Sequence, residues 1–315
     1  MHCREDRSMR AIAIEGFGGR DRLKLVDLTT PKLGPDDVFV RVRAAVVGPW
    51  DVKTREGIFG ERSFPRVLGV EASGVVESVG ENVADLREGD EVYVYSGGCY
   101  AEYVAAPTEK VARKPESLSF EEAAGVPVAG STAYQGIVEE IGLKGGETVL
   151  IAGAAGGVGT MAVQIAASLG ARVLGTASPR NHDYLRSLGA AEAIDYHGDW
   201  VSAARTIASG GVDAAFDCVG GETFRRSFDA VRDGGRVVTI IAFGEEVEPG
   251  RGINYHAFSA RAERRKVEKL SGMFDAGKLL LEIEDVLPLE EAAKAHERVE
   301  AGHTRGKIVL RVGCS

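Results

Sequence analysis

A glycine-rich turn at residues 153–159 limits the fold more than any other feature of this sequence. The segment IAGAAGGVGTMAVQIAASLGARVLGTAS, Ile151 to Ser178, contains an apolar run, the glycines, a stretch of apolar residues at helical spacing and a second apolar run. This order predicts a strand, a turn, a helix and a second strand. The turn then lies where unpaired helix N–H groups and the helix dipole favour an anion such as a pyrophosphate.

Small residues at this turn leave room for a ligand to approach the backbone, because glycine has no Cβ. The candidates are Gly153, Gly156, Gly157 and Gly159, with Ala155 small enough to serve beside them. Their spacing differs from the simple Gly-x-Gly-x-x-Gly pattern. The alternative interpretation is a tight turn that only allows close packing of helix and strand.

The residues after the second strand bear on the choice of dinucleotide. An acidic side chain there would accept hydrogen bonds from ribose hydroxyls and repel a 2′-phosphate. The chain instead reads GTASPRN, in which Ser178, Arg180 and Asn181 offer a hydroxyl, a guanidinium and an amide. Because a guanidinium suits a phosphate dianion, this favours NADPH over NADH. The alternative is that Arg180 is a solvated residue near a helix start.

Two hydrophobic patterns divide the chain. Between Met9 and about Phe120, short alternating runs broken by turn residues predict an antiparallel, barrel-like β domain. Beyond it, apolar runs alternate with amphipathic stretches, which predicts a parallel sheet with helices on both faces. These apolar runs occupy residues 148–152, 172–176, 191–194, 213–217 and 236–241.

The end of the chain is expected to fold back on the first domain. The segment IEDVLPLEEAAKAHERVEAGHTRGKIVLRV has a helical period followed by a β run, with no later strand to continue a parallel sheet. We therefore predict a β domain of residues 1–123 and 285–315, and a dinucleotide-binding domain of residues 124–284. Residues 1–8 are predicted to be a mobile tail, because regular alternation begins at Arg10.

Composition excludes several classes of protein. The 315 residues are 44% hydrophobic, and the formal net charge of -9 argues against nucleic acid or an anionic membrane as a partner. Neither a signal peptide nor a membrane-spanning run is evident, which predicts a cytoplasmic protein. The cysteines show no metal-type spacing and are predicted to be reduced; they are Cys3, Cys99, Cys218 and Cys314.

A series of short motifs runs in a fixed order from Met9 to about Val312. They are MRAIAIEGFGG, FPRVLGVEASGVVESVGENV, GDEVYV, YAEYV, AGSTAY, AGAAGGVGTMAVQIA, GA with IDY, FDCVGG and GKIVL. In this order they resemble the medium-chain dehydrogenase/reductase superfamily, and within it the zinc-independent quinone oxidoreductases related to zeta-crystallin. The resemblance implies an α/β fold: a Rossmann-type doubly wound parallel sheet domain plus a discontinuous GroES-like β-barrel catalytic domain. It also implies a homodimer.

The resemblance also indicates that metal is absent from the site. Where zinc-dependent relatives have cysteine, histidine and cysteine ligands, this chain has Gly48, Val70 and Val128, none of which can bind zinc. The four close cysteines of a structural zinc lobe are missing, since only Cys99 lies in that region. We therefore expect no metal and no metal-assisted alcohol oxidation.

By resemblance, several residues are expected to line the cofactor. The nicotinamide end would lie near the segment from Gly48 to Asp51, and the adenosine half near the FDCVGG motif. The 2′-phosphate would lie near Tyr196, the tyrosine of the IDY motif. The residues implied in this way are Pro49, Thr132, Phe243, Val219, Gly220 and Tyr196. Val158 of the glycine turn is expected to line the cofactor with them. Gly48 stands where family members usually have an asparagine, so a side-chain amide expected near the nicotinamide is missing.

Without a Lewis acid, hydride passes most easily to an electron-poor acceptor, which predicts reduction of a quinone or an activated α,β-unsaturated carbonyl. Trp50 and Phe59 are interpreted as an aromatic wall for such a flat substrate, or else as residues packed within the β domain. Asp51 is interpreted as a structural carboxylate rather than a general acid, because an exposed or salt-bridged carboxylate would be ionised near neutral pH. No catalytic residue is assigned. The alternatives are a 2-enoyl thioester or alkenal reductase, and a non-catalytic NADPH-binding sensor or structural relative.

Overall fold

The computed structural model describes residues 7–60, 63–245, 247–261, 263–302 and 304–313. Its strands are β1 (Ser8–Ile14), β2 (Lys24–Thr29), β3 (Asp37–Val47), β4 (Arg66–Val67), β5 (Glu71–Val79), β6 (Glu91–Tyr95), β7 (Tyr103–Pro107), β8 (Val111–Arg113), β9 (Thr148–Ala152), β10 (Arg172–Ala177), β11 (Glu192–Asp195), β12 (Val212–Asp217), β13 (Val231–Thr239), β14 (Asn254–Ala257), β15 (Ile283–Pro288) and β16 (Lys307–Arg311).

The α-helices are α1 (Pro49–Glu56), α2 (Phe120–Ala124), α3 (Val126–Tyr134), α4 (Gly157–Ser168), α5 (His182–Ser187), α6 (Trp200–Ile207), α7 (Gly221–Ala230), α8 (Arg264–Asp275) and α9 (Ala292–Glu300). A π-helical segment, Gln135–Glu140, continues α3. Short 3-10 turns occupy Arg20–Arg22, Thr108–Lys110, Pro179–Asn181 and Leu289–Glu291. None of the helices in the described part of the chain is long and apolar enough to cross a membrane.

The chain folds into two compact units. Unit 1 contains the described residues of Met1–Pro127, Ala262–Asp275 and Glu282–Ser315, and unit 2 those of Val128–Arg261 and Ala276–Leu281. The predicted domain boundaries therefore differ from the units at α8, which falls in unit 1. A contact within unit 1 explains the difference, because the hydroxyl of Tyr93 in β6 donates a 2.9 Å hydrogen bond to the Val267 carbonyl of α8. Val267, Leu270 and Phe274 of α8 are all buried. The boundaries of the functional domains stay a prediction.

Unit 2 is built on a parallel sheet of six strands in the order β11-β10-β9-β12-β13-β14. The central strands β9 and β12 are almost fully buried along their length, which is why β9 is apolar after Thr148 and β12 carries the apolar run from Ala214 to Phe216. Strand β13 begins at Val231, before the apolar run at 236–241 from which a strand was predicted. The β14 edge strand was not predicted, because its sequence NYHA alternates between exposed and half-buried residues and contains no apolar run.

The order of these strands creates a switch point between β9 and β12. From β9 the chain continues outward through β10 and β11, whereas β12, β13 and β14 extend the sheet in the other direction. Ala152 at the end of β9 is in register with Asp217 at the end of β12. In open parallel sheets, ligands bind in the crevice outside the carboxyl ends of strands at such a point.

Unit 1 holds the remaining strands in two sheets, a three-stranded one in the order β2-β1-β4 and a larger one in the order β15-β16-β3-β5-β6-β8, with β7 also paired to β3. All these pairings are antiparallel, as predicted, except that of β15 with β16. The parallel pair is possible because α9 provides the crossover between them. Strand β16 thereby lies between β15 and β3, in the interior of the sheet.

The first strand begins at Ser8, inside the segment 1–8 that was predicted to be a mobile tail. Ser8 belongs to β1 and is in register with Thr29, because the apolar residues that follow it draw this strand into the sheet. Arg7 donates a hydrogen bond of 2.9 Å to Glu77. The predicted tail therefore extends no further than Asp6, and residues 1–6 lie outside the described part of the chain, as do Cys3 and Cys314.

The glycine at position 159 allows α4 to pack closely on the turn before it. A Cβ built on Gly159 would lie only 2.2 Å from the Gly153 carbonyl oxygen. We predict that Gly159→Ala lowers the free energy of unfolding by about 1–3 kcal/mol, since backbone must shift to admit the methyl group. Urea denaturation followed by circular dichroism measures this change.

Gly272→Ala is the matched control, because Gly272 lies inside α8 and nothing stands within 4 Å of a Cβ built there. The same added methyl group is expected to stabilise unit 1 by about 0.4–1 kcal/mol. Equal effects of the two substitutions would contradict the argument from close packing.

Candidate functional site

The glycine turn of unit 2 presents the amino end of α4 without a side-chain cap. Gly156 is the N-cap residue, with extended backbone and no side-chain cap hydrogen bond. A Cβ built on Gly156 would meet only the Gly153 carbonyl oxygen, at 3.4 Å, and the next two residues, Gly157 and Val158, are half-buried. Ala155 is buried beneath them. The helix dipole and room beside the backbone fit a pyrophosphate group.

A buried carboxylate organises the loop on the other side of the switch point. Asp217, at the end of β12, accepts hydrogen bonds from the backbone N–H groups of Val219 (3.1 Å) and Gly220 (3.0 Å) and from the Thr239 hydroxyl (2.8 Å). Burial raises its pKa above the usual range, although these hydrogen bonds oppose the shift. Asp217 therefore ties the end of β12 to the end of β13 and fixes the Val219–Gly220 turn.

The fixed loop lies against the glycine turn. A Cβ built on Gly153 would come within 2.9 Å of the Val219 side chain, and Gly153 has a positive φ of 72°. Val219 is half exposed, whereas Gly220 is buried. The structure thus brings together these two parts of the predicted cofactor site. Sequence reasoning missed Asp217, although an aspartate at the end of an apolar run just before a glycine pair was a signal for it.

The end of β10 carries the residues predicted to choose between dinucleotides. Ser178 caps the 3-10 turn Pro179–Asn181, and Arg180 is exposed on that turn. Asn181 is only 8% exposed, and its side-chain amide donates to the Ser178 hydroxyl over 3.4 Å. Asn181 therefore holds the Ser178 hydroxyl, and Arg180 lies exposed between these two residues.

The other predicted cofactor residues occupy different places in unit 2. Tyr196 follows β11 and is 45% exposed, next to the end of β10, because Ala177 and Asp195 are in register. Phe243 follows β13 and is 53% exposed. Thr132 lies in α3, where it is buried and its hydroxyl donates to the Val128 carbonyl over 2.6 Å.

Trp50 and Phe59, interpreted from the sequence as an aromatic wall or as residues packed within the β domain, form a stacked pair in unit 1. The rings of Trp50 and Phe59 lie 4.1 Å apart between centroids at an angle of 21°. Pro49 is the first residue of α1 and Gly57 ends that helix with a positive φ of 84°, which carries the chain back towards Trp50. The indole is 46% exposed, and Phe59 is half-buried beside it.

Asp51 is a buried carboxyl group with a raised pKa. It is 2% exposed, and burial raises its pKa to about 7, against the effect of a 2.9 Å hydrogen bond from the Gly48 N–H. Glu71 raises the pKa further and Lys307 lowers it. The sequence showed no sign of this raised pKa, because neighbours distant in sequence remove water from the carboxyl group. Its hydrogen bond caps the helix that carries Trp50.

The charges around Asp51 are largely paired. Lys307 of β16 donates to Glu71 of β5 over 2.8 Å, and both side chains are buried. Glu71 directly follows Val70, one of the positions where zinc-dependent relatives have a ligand. Among the described residues, no group of three or more histidine, cysteine, aspartate or glutamate side chains is arranged to hold a metal ion. Cys99 and Cys218 are free thiols.

We predict that Asp51→Asn makes the stability of the protein less dependent on pH. The folded pKa of about 7 exceeds the ordinary value of 3.8, so wild type loses stability as pH rises through this window. Between the unfolded pKa of 3.8 and the folded pKa of about 7, the free energy of unfolding of the variant should therefore rise relative to that of wild type by about 1.4 kcal/mol per pH unit. Urea unfolding at pH 5, 6, 7 and 8 measures the difference.

Asp90→Asn is the control for this titration. Burial raises the pKa of Asp90, but hydrogen bonds from Arg113 and the Arg87 N–H outweigh it and hold the pKa below its usual value. Asp90 is therefore ionised in both states above pH 5, and its substitution should change stability equally from pH 5 to 8. A flat difference for Asp51→Asn as well would contradict the raised pKa.

Comparison with known protein families agrees with this architecture. Residues 34–116 match the alcohol dehydrogenase GroES-like domain, and residues 188–310 match the zinc-binding dehydrogenase family. The second description names a metal, whereas the residues at the ligand positions of this chain have no side chain that binds zinc.

Individual relatives match along nearly the whole chain. The NADPH-dependent alkenal/one oxidoreductase of Arabidopsis thaliana is 32% identical over 96% of this chain and 80% of its own length. The quinone oxidoreductase of Pseudomonas aeruginosa is also 32% identical, over 96% of this chain and 99% of its own. The solved structure of the quinone oxidoreductase from Coxiella burnetii is 36% identical, with a TM-score of 0.89 over 98% of this chain and all of that one.

These matches confirm the predicted fold class, a Rossmann-type sheet domain with a GroES-like domain. They also show an oxidoreductase, and the family implies a nicotinamide cofactor and a small-molecule substrate. The chain belongs to the medium-chain dehydrogenase/reductase superfamily, in its zinc-independent, quinone oxidoreductase-like family.

Proposed function

We propose that this protein is an NADPH-dependent, zinc-independent oxidoreductase that transfers hydride to a quinone or an activated α,β-unsaturated carbonyl. One observation carries the choice of cofactor. The turn after β10 presents the exposed guanidinium of Arg180 and the hydroxyl of Ser178, where NADH-specific sheets have a carboxylate. The name of the Arabidopsis relative, an NADPH-dependent enzyme, supports the same choice.

Each part of the site has a defined task in this proposal. The amino end of α4 binds the pyrophosphate, and the turn fixed by Asp217 supports the adenosine half of the cofactor. The bound nicotinamide supplies the hydride. Pro49, Thr132 and Phe243 are proposed to lie at its nicotinamide end, as the family likeness implies.

The acceptor is proposed to be flat and electron-poor. Trp50 offers a half-exposed indole on which such a ring can stack, and its partner Phe59 holds it from the other side. Asp51 is too deeply buried to give a proton to the substrate, so it acts by capping α1. Quinone reduction suits a site without a committed acid, because solvent can protonate the product.

A second candidate is reduction of alkenals or 2-enoyl thioesters. The name of the Arabidopsis relative supports an alkenal or enone, while those of the Pseudomonas and Coxiella proteins support a quinone. The protein is an oxidoreductase by family, so the alternative of a non-catalytic NADPH-binding sensor is the less favoured one. The homodimer and the cytoplasmic location stay predictions.

The deciding experiment follows NADPH oxidation at its absorbance band against para- and ortho-quinones, 2-alkenals, enones and crotonyl thioesters. Parallel reactions contain NADH or EDTA. Quinone turnover with NADPH that resists EDTA would support the proposal, and turnover of alkenals or thioesters alone would replace it with the second candidate. Loss of activity in EDTA would contradict zinc independence. Tight NADPH binding without any turnover would indicate the sensor.

We predict that Arg180→Ala weakens NADPH binding about 10- to 100-fold, because one charge-assisted hydrogen bond to the 2′-phosphate is lost. The dissociation constant of NADH should change less than about twofold, since NADH has no such phosphate. Fluorescence titration measures both. Arg186→Ala is the matched control, because Arg186 is an exposed arginine on the neighbouring helix α5 that pairs with Asp183 at 2.8 Å. Equal losses for the two cofactors would contradict the assignment.

We predict that Trp50→Leu raises KM for a naphthoquinone by about 2- to 10-fold, through loss of ring stacking. A small acyclic alkenal cannot stack in this way, so its KM should stay nearly constant. Initial rates at saturating NADPH measure both values. Leu25→Ala, which removes an exposed apolar side chain from β2, is the control variant. A parallel rise for both acceptors would show that Trp50 only supports the fold.

A further inference from the structure

Three residues at the end of β11 form a small assembly: Asp195 is the last residue of the strand, and Tyr196 and His197 follow it. The Asp195 carboxylate accepts hydrogen bonds from the backbone N–H of His197 at 3.0 Å and from its Nδ1 at 2.7 Å. The imidazole packs on the Tyr196 ring, with 4.2 Å between centroids. The His197 side chain is 61% exposed. The assembly therefore holds an imidazole in one orientation on an open surface.

The hydrogen bonds determine which ring nitrogen is available. The bonds from the His197 backbone and side chain hold the pKa of Asp195 below its usual value, so its carboxylate is ionised at neutral pH. An ionised carboxylate only accepts hydrogen bonds, and Nδ1 must donate to it. The Nε2 atom is then the outward nitrogen, and it becomes a donor when the ring is protonated.

The assembly lies at the edge of the sheet where the 2′-phosphate is proposed to bind. Strands β10 and β11 are parallel neighbours, and Ala177 is in register with Asp195. The residues immediately beyond these two are Ser178 and Tyr196. Tyr196 therefore lies level with Ser178, where the turn that carries Arg180 begins. His197 is the next residue after Tyr196.

Charged and titratable groups surround His197 on several elements. Asp195 faces His197 from its own strand. The 3-10 turn contributes Arg180, and α5 contributes His182, whose Nε2 lies 3.2 Å from the Ala177 carbonyl oxygen. At the start of α6, Asp199 is engaged by Ser202 and Arg226.

An uncovered aspartate at the end of β11 would repel a phosphate dianion. Here the imidazole covers that carboxylate, and a phosphate on the Nε2 side would place negative charge on both sides of the ring.

We propose that His197, oriented by Asp195 and stacked on Tyr196, is a second cationic ligand of the 2′-phosphate and takes up a proton when that phosphate binds. This inference rests on the proposed use of NADPH. It adds to Arg180 a residue that selects for the phosphorylated cofactor and makes its binding depend on pH.

Isothermal titration calorimetry with two cofactor fragments tests the proposal without any turnover. The fragments are 2′,5′-ADP and 5′-AMP, which differ only in the 2′-phosphate. We expect His197→Gln to weaken 2′,5′-ADP binding about 5- to 20-fold and to leave 5′-AMP binding unchanged. Titrations at pH 7.5 in two buffers of different ionisation enthalpy measure proton uptake, which should fall in the variant.

His256→Gln is the matched control. His256 is also an exposed histidine beside a carboxylate, 3.3 Å from Glu140, but it lies in β14 at the opposite edge of the same sheet. It should leave both affinities and the proton uptake unchanged. Unaltered 5′-AMP binding in His197→Gln shows that the variant is folded.

The outcomes separate this inference from the proposed function. If wild-type protein binds 2′,5′-ADP no better than 5′-AMP, the proposed use of NADPH is wrong. If wild type prefers 2′,5′-ADP but His197→Gln keeps both that preference and the proton uptake, the role of His197 is wrong. A second variant, Asp195→Asn, should also reduce proton uptake, because it removes the charge that stabilises the imidazolium.

Discussion

The parallel pairing of β9 with β12 is the constraint on which the proposed cofactor site of unit 2 depends. Both strands are buried in the centre of the sheet, and their ends are in register at Ala152 and Asp217. Because the strands run in the same direction, the loops that follow them leave the sheet side by side. One loop begins the glycine turn and the other is fixed by the Asp217 carboxylate. Neither loop alone would form a dinucleotide cradle.

Close approach of backbone to backbone makes this arrangement specific. Gly153 adopts a positive φ beside Val219, and Gly159 allows α4 to pack on the Gly153 carbonyl. The two glycines therefore do different things. The first turns the chain away from β9, and the second sets the distance between helix and turn, while Gly156 leaves open the space that a phosphate needs.

The sequence was most informative where one local pattern determines the structure. The run at 148–152 coincides with β9, since a strand buried on both faces is apolar throughout. The β14 edge strand escaped prediction because half of its surface meets solvent. The raised pKa of Asp51 also could not be predicted, since burial is its main cause and the charged neighbours Glu71 and Lys307 are distant in sequence. Patterns of residue type do not show which side chains lose contact with water.

The place of β16 has a consequence for how the protein is made. This strand is the last in the described chain, yet it lies between β15 and β3 in the interior of the larger sheet of unit 1. On the ribosome, every residue of unit 2 is synthesised before β16. Residues Ala44–Val47 of β3 therefore lack this partner until β16 has been synthesised, whereas Asp37–Arg41 can already pair with β7. An unpaired stretch of strand invites pairing with other chains. Unit 2 can therefore fold before β16 is made, whereas the larger sheet of unit 1 is completed only when β16 pairs with β3.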